Sequence, residues 1–171
     1  MRAETRKFLH DTIADLLSLE KSKVIWANQG QPKQATPLVT LKTYSEQSES
    51  MADHLRTSTD GVIDLRTPTE FVLEVQYYGG KYPVDIVYDM VRGLERPTIV
   101  DAFMGAGVAF LYADPVQDLT DLLGNDQHYE PRAAVDLHCR YTAQVIDNVG
   151  VIDAVGIHGE TPQDMDWTVN S

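Results

Sequence analysis

The side chains best suited to chemistry are five histidines, one cysteine and 26 carboxylates. His10, His54, His128, His138 and His158 are scattered, and none stands in the HExxH spacing that sets two imidazoles around zinc on one helix face. His138 and Cys139 are neighbours in sequence. On a strand they point to opposite faces and cannot chelate one ion. Cys139 also falls on the apolar side of its own alternation, which makes it a small core residue rather than a nucleophile. No GxSxG elbow occurs. Phe103-Met104-Gly105-Ala106-Gly107-Val108 places two glycines beside a helix but lacks the third glycine and the following Lys-Ser/Thr of a phosphate cradle. It reads as a link between helix and strand.

Glu70/Glu74, Asp118/Asp121 and Asp164/Asp166 are the carboxylate pairs that suggest acid and base partners. Two carboxylates divide those roles only where a pocket separates their pKa values, and no sequence feature locates such a pocket. Asp164 and Asp166 lack the spacing of an EF-hand loop. Solvated surface is the default for acids in so acidic a chain. The expectation is no enzyme, no metal site and no cofactor.

The elements that position these groups follow from periodicity. Residues 4–20 form an amphipathic helix, with Phe8, Leu9, Ile13, Leu16 and Leu17 at three- and four-residue spacing. Lys23–Trp26 is a short β-prone run, and Ala27–Gln34 a loop marked by Gly30 and Pro32. Pro37–Tyr44 is a strand. Residues 45–60 are rich in Ser, Glu, Thr and Asp and read equally as strand extension or excursion. Gly61–Thr67 and Thr69–Tyr78 read as consecutive strands. The second places Phe71, Leu73, Val75 and Tyr77 on one face and Glu74 and Gln76 on the other. A helix begins near Pro83, carries Val84, Val87, Tyr88 and Val91 on one face, and closes at Gly93. A shorter helix follows Arg96-Pro97, then a strand over Val108–Tyr112. Asp114-Pro115 reads as the cap of a further short helix through Leu123. From Ala133 to Val145 apolar and polar residues alternate in a long strand with one dry and one wet face. Asp147-Asn148 makes a turn into a returning strand over Val149–His158. The polar, acidic tail 159–171 reads as an arm. This is an α+β domain over 1–158: a mostly antiparallel sheet packed by an N-terminal helix and central helices, ending in a β-hairpin.

Composition bounds the function further. The chain has 171 residues, 14 Lys and Arg against 26 Asp and Glu, a net charge of −12 and a pI near 4.6. Nucleic-acid binding rests on Lys and Arg neutralising phosphates, so a DNA-gripping role is disfavoured. No run approaches the roughly 18 apolar residues of a membrane span. The first residues lack the apolar core of a secretory signal. A single cysteine rules out an intrachain disulfide and suits a reducing cytoplasm.

Val24-Ile25-Trp26-Ala27-Asn28-Gln29 after an amphipathic helix, then Pro37-Leu38-Val39-Thr40-Leu41, resembles the opening of the phage neck and tail terminator family. Glu130–Leu137, where an arginine opens a long strand, and the closing Val149–Val155 resemble it too. These are tail-completion ring proteins, distantly like the lambda-type tail terminator. The resemblance covers most of 1–158 and brings no catalytic residues. It implies a structural virion protein of the tail and neck, assembled in the host cytoplasm. Its work would be a cyclic homo-oligomer, commonly a hexamer, at the head-proximal end of the tail. That ring would stop polymerisation of the tail tube protein and join the head-to-tail connector, while DNA passes through its lumen without specific binding.

On that reading the interface candidates are Arg56, Tyr77, Tyr78, Arg132, His138 and Arg140. They combine the wet face of the long strand with tyrosines near the Gly79-Gly80 turn, where one ring end is apolar and the other wet. Loops 27–36 and 45–60 are long enough to reach a neighbouring ring. The acids would in part line the channel. Two other readings remain: another neck or tail-completion protein, or a small-ligand domain whose pocket is lined by Trp26, Tyr88 and Tyr112.

Overall fold

The computed structural model describes residues 2–27, 35–48, 53–56, 61–123 and 128–150, with the backbone alone at 53–56, 122, 123 and 128. By internal contacts the chain divides into two units, residues 1–51 with 67–143 and residues 52–66 with 144–171.

In the first unit, helix α1 (Ala3–Leu16) buries Leu9, Thr12, Ile13 and Ala14. It ends where Ser18 turns left-handed at φ +53 and the Leu19 amide returns to the Ala14 carbonyl at 2.9 Å. A 3-10 turn (Lys21–Lys23) leads into β1 (Val24–Trp26), which lies parallel to β2 (Leu38–Ser48). Strand β2 runs antiparallel to β4 (Val62–Tyr78), with Leu41 opposite Val75 and Thr43 opposite Leu73. The sheet continues through β9 (Arg132–Asn148) to β5 (Val108–Ala113), in the order β1-β2-β4-β9-β5. The apolar parity read from the sequence is the buried parity. Phe71, Leu73, Val75 and Tyr77 of β4 share a core with Ala133, Val135, Leu137 and Cys139 of β9. Each large side chain withdrawn this way is worth about 1.5–3 kcal/mol.

Helices α2 (Pro83–Leu94) and α3 (Pro97–Gly105) cover that core with α1. Each starts at a proline, whose missing N–H costs nothing in a first turn. Phe8 of α1 meets Phe103 of α3 edge-on, with ring centres 5.0 Å apart. The buried face of α2 is Pro83, Val87, Met90, Gly93 and Leu94. Tyr88, expected on that face, is 46% exposed. Gly93 does not end the helix. A Cβ there would sit 2.7 Å from Leu16 Cδ2, so its missing side chain sets how closely α1 approaches α2.

Three further expectations change. Residues 61–67 and 69–78 form one strand, β4, because Pro68 falls between ladders. Strand β3 (Asp53–Arg56) pairs with β4 at residues 63–66, and β2 pairs from Thr69 onward, so no bond from Pro68 is missed on that side. No further helix forms among the described residues after Asp114-Pro115. Gln117 and Asp118 instead form β6 (Gln117–Asp118), pairing with Ala134 and Ala133 of β9. Asp121–Leu123 (β7) pairs antiparallel with His128–Glu130 (β8). The edge of β9 supplies ladder partners for this segment, whereas a short helix carries a nucleation cost that few bonds offset. Asp147 and Asn148 belong to β9, and the left-handed residue is Gly150, at φ +74.

In the second unit, the Val149 amide donates to the Gly61 carbonyl at 3.0 Å, and Asp64 accepts from Arg66 Nε at 2.8 Å and Gln144 Nε2 at 2.9 Å. The loop core 28–34, most of the stretch 49–60, the returning strand beyond Gly150 and the tail 159–171 lie outside the described residues.

Candidate assembly interface

The helices pack on one side of the sheet in the first unit. The other side carries the alternate residues of β2, β4, β9 and β5, and its members tie to one another across strands. Tyr44 of β2 reaches over β4 and donates its hydroxyl to Asp136 of β9. Val72, opposite Tyr44 in the ladder, is buried on this face, as is Ala134. Burial first, and then the Asp136 carboxylate, hold the Tyr44 phenol above its usual pKa of 10. Arg140 of β9 pairs with Glu70 of β4 at 2.8 Å. At the edge, the His138 ring stacks on Tyr112 of β5, with centres 4.1 Å apart, and its Nε2 lies 3.3 Å from Asp114.

The other end of the face is a chain of polar contacts. Tyr78 donates to Gln76 Oε1 at 2.7 Å, Arg132 donates to the same oxygen, and Gln76 Nε2 donates to Glu74. The Arg132 guanidinium lies 4.9 Å from the centre of the Tyr78 ring, close enough for a cation–π contact. Its Nε is buried without a hydrogen-bond partner among the described residues. A shallow cavity of about 410 Å³ lies between Tyr44 and Tyr112, with Glu70, Val72, Asp114 and His138 among its walls.

The proposed interface residues therefore separate. Tyr78, Arg132, His138 and Arg140 come together on this polar face. Tyr77 points the other way, is 5% exposed and belongs to the core, where burial raises its phenol pKa. Arg56 lies on β3 opposite Ile63 in the second unit, and its side chain is outside the described residues. Tyr44 and Asp136, which the sequence did not single out, complete the face with Glu74, read from sequence as half of a carboxylate pair, and Tyr112, read as a pocket wall. Parity marks Tyr44, Glu74 and Asp136 as wet positions, whereas Tyr112 shares the parity of Val108 and Phe110 and reaches this face through the register shift between Phe110 and Tyr112.

The remaining chemical candidates are spread apart. Cys139 is buried, and desolvation pushes its thiol up to about 12, which removes the thiolate at neutral pH. Trp26 lies under the Arg6 guanidinium, Tyr88 is exposed on α2 and Tyr112 stacks on His138, so each of the three has its own neighbours. Among the described residues no group of three His, Cys, Asp or Glu is placed to hold a metal ion. No described helix is long and apolar enough to cross a membrane.

The sheet of the first unit thus has helices on one face and a cross-linked polar face on the other. The family model described as phage neck terminator protein matches residues 1–164 of this chain. The chain belongs to that family and is a structural component of the phage tail and neck, in contact with other tail or head proteins. No curated protein matches it.

Proposed function

We propose that this protein forms a ring, hexameric by the family's habit, at the head-proximal end of the tail. There it ends tail-tube polymerisation and joins the tube to the neck connector. Beside the family match, one observation supports the reading most. The sheet face away from the helices is preorganised, because Tyr44–Asp136, Arg140–Glu70 and Arg132–Gln76 already hold its side chains in place. A surface whose rotamers are fixed before contact loses less entropy on docking.

Residues 1–158 act in this proposal as one terminator-like domain with 159–171 as an arm, and the chain passes between its two units within β4 and β9. Some of the surplus carboxylates line the channel, where like charge keeps DNA from sticking. Light scattering on the size-exclusion peak, alone and with tail tube protein, tests the ring. A species of about six copies supports it. A monomer under both conditions sinks it.

A further inference from the structure

The two outer edges of the sheet in the first unit differ. One is β1, three residues long, entered from the basic turn Lys21–Lys23, with exposed Lys42 on the adjoining strand. The other is β5, Val108-Ala109-Phe110-Leu111-Tyr112-Ala113, which has neither charge nor proline to guard it. Its pairing to β9 shifts register between Phe110 and Tyr112. Beside it, α3 and β5 border an open apolar groove of about 310 Å³. On the groove's walls Val100, Met104 and Leu111 are 42%, 71% and 38% exposed. Exposed Glu95 lines this groove, Asp101 is exposed on α3, and exposed Arg96 is the opposing charge.

The charge of the chain is divided in the same sense. Residues 1–42 carry seven Lys and Arg against four Asp and Glu, a net of +3. Residues 43–171 carry seven against 22, a net of −15. The positive part builds α1, β1 and the start of β2, and the negative part supplies α3 and β5. Lys21 is tied in part to Asp11, at 2.8 Å, and remains 58% exposed.

We infer that the Lys21–Trp26 edge of one copy docks on the β5–α3 edge of a second copy. Lys21 and Lys23 face Glu95 and Asp101, and the incoming edge covers the Val100/Met104/Leu111 groove. Such a contact joins two unlike patches, and its repetition about an axis closes a ring. The inference rests on the ring reading above and assigns that ring its subunit contact.

Charge reversal in the full-length protein tests it. K21E/K23E and E95K/D101K each lower self-association about tenfold or more at low salt, read by sedimentation velocity. Mixed one to one, the two variants recover assembly, because each reversed edge meets its complement, and the recovered particles hold an even number of copies in alternation. Circular dichroism checks that each variant is folded. If one is not, K21Q/K23Q and E95Q/D101Q, which remove charge without reversing it, each lower self-association by a smaller factor, and the mixing test is kept for the charge-reversed pair. Wild-type protein that assembles while folded variants assemble equally well overturns this contact and leaves the ring intact. Failure of the mixture to recover overturns it too. Wild-type protein that stays monomeric with and without tail tube protein overturns the ring itself, and the contact with it.

Discussion

Replacing Gly93 by valine tests how the helical layer is spaced. A Cβ at this position would lie 2.7 Å from Leu16 Cδ2 and 3.8 Å from Leu16 Cγ. Two terms oppose one another in Gly93→Ala. The helix gains about 1 kcal/mol in propensity, and the methyl pushes only the end of a half-buried leucine, which can rotate. Stability therefore changes by less than about 1 kcal/mol. Gly93→Val adds two more carbons and a stiff χ1, and overpacking of this kind costs about 1–3 kcal/mol. Leu16→Ala alone loses about 1–2 kcal/mol of burial. In the double variant the truncated residue 16 makes room for the valine, so the two losses do not add and the coupling is about 1 kcal/mol or more. Urea unfolding followed by tryptophan fluorescence and far-ultraviolet circular dichroism gives the four midpoints. Equal stability of G93V and wild type would refute the argument, as would strictly additive losses in the double variant.

Other consequences follow from the charged and polar contacts. Asp11 is held below the ordinary carboxylate range by Lys21, then His10 and Lys7. Its contribution is therefore complete above about pH 4 and lost as pH falls toward the depressed value. Because those lysines are exposed, D11N loses less than about 1 kcal/mol at pH 7 in thermal melts, and the loss shrinks steadily as pH falls below about 4. Tyr44 and Tyr141 are kept protonated, chiefly by burial and then by Asp136 and Glu46, with Tyr141 pushed up to about 12. Their contribution is full below about pH 10 and lost as pH rises above it, so Y44F/Y141F has a shallower alkaline stability profile and two fewer late-ionising phenols by ultraviolet titration. Cys139 reacts with a thiol reagent at the rate of unfolding. Fast labelling of native protein would contradict its burial.

The sheet was legible in the sequence because a two-residue period needs only local information. Both Phe71–Tyr77 and Ala133–Cys139 bury the parity that their apolar residues mark. The helix expected after Asp114-Pro115 failed because its capping signal was local, whereas the edge of β9 that captures Gln117 and Asp118 comes from residues 15 and more positions later. Pro68 misled for the same reason: whether a proline breaks a strand depends on which ladder lies beside it. Gly93 looked like a stop and is a spacer, a role visible only once Leu16 is placed against it. On the candidate face, Arg132, His138 and Arg140 were found by parity. Tyr77 was chosen for its neighbours near the glycine turn, against its own parity, and lies in the core.

The central claim is that this protein caps the tail tube. Electron microscopy of tails assembled with and without it measures that directly. Without it, tubes should run past their normal length and fail to join heads, and adding the full-length protein should restore both. Tubes of normal length that join heads in its absence would contradict the account.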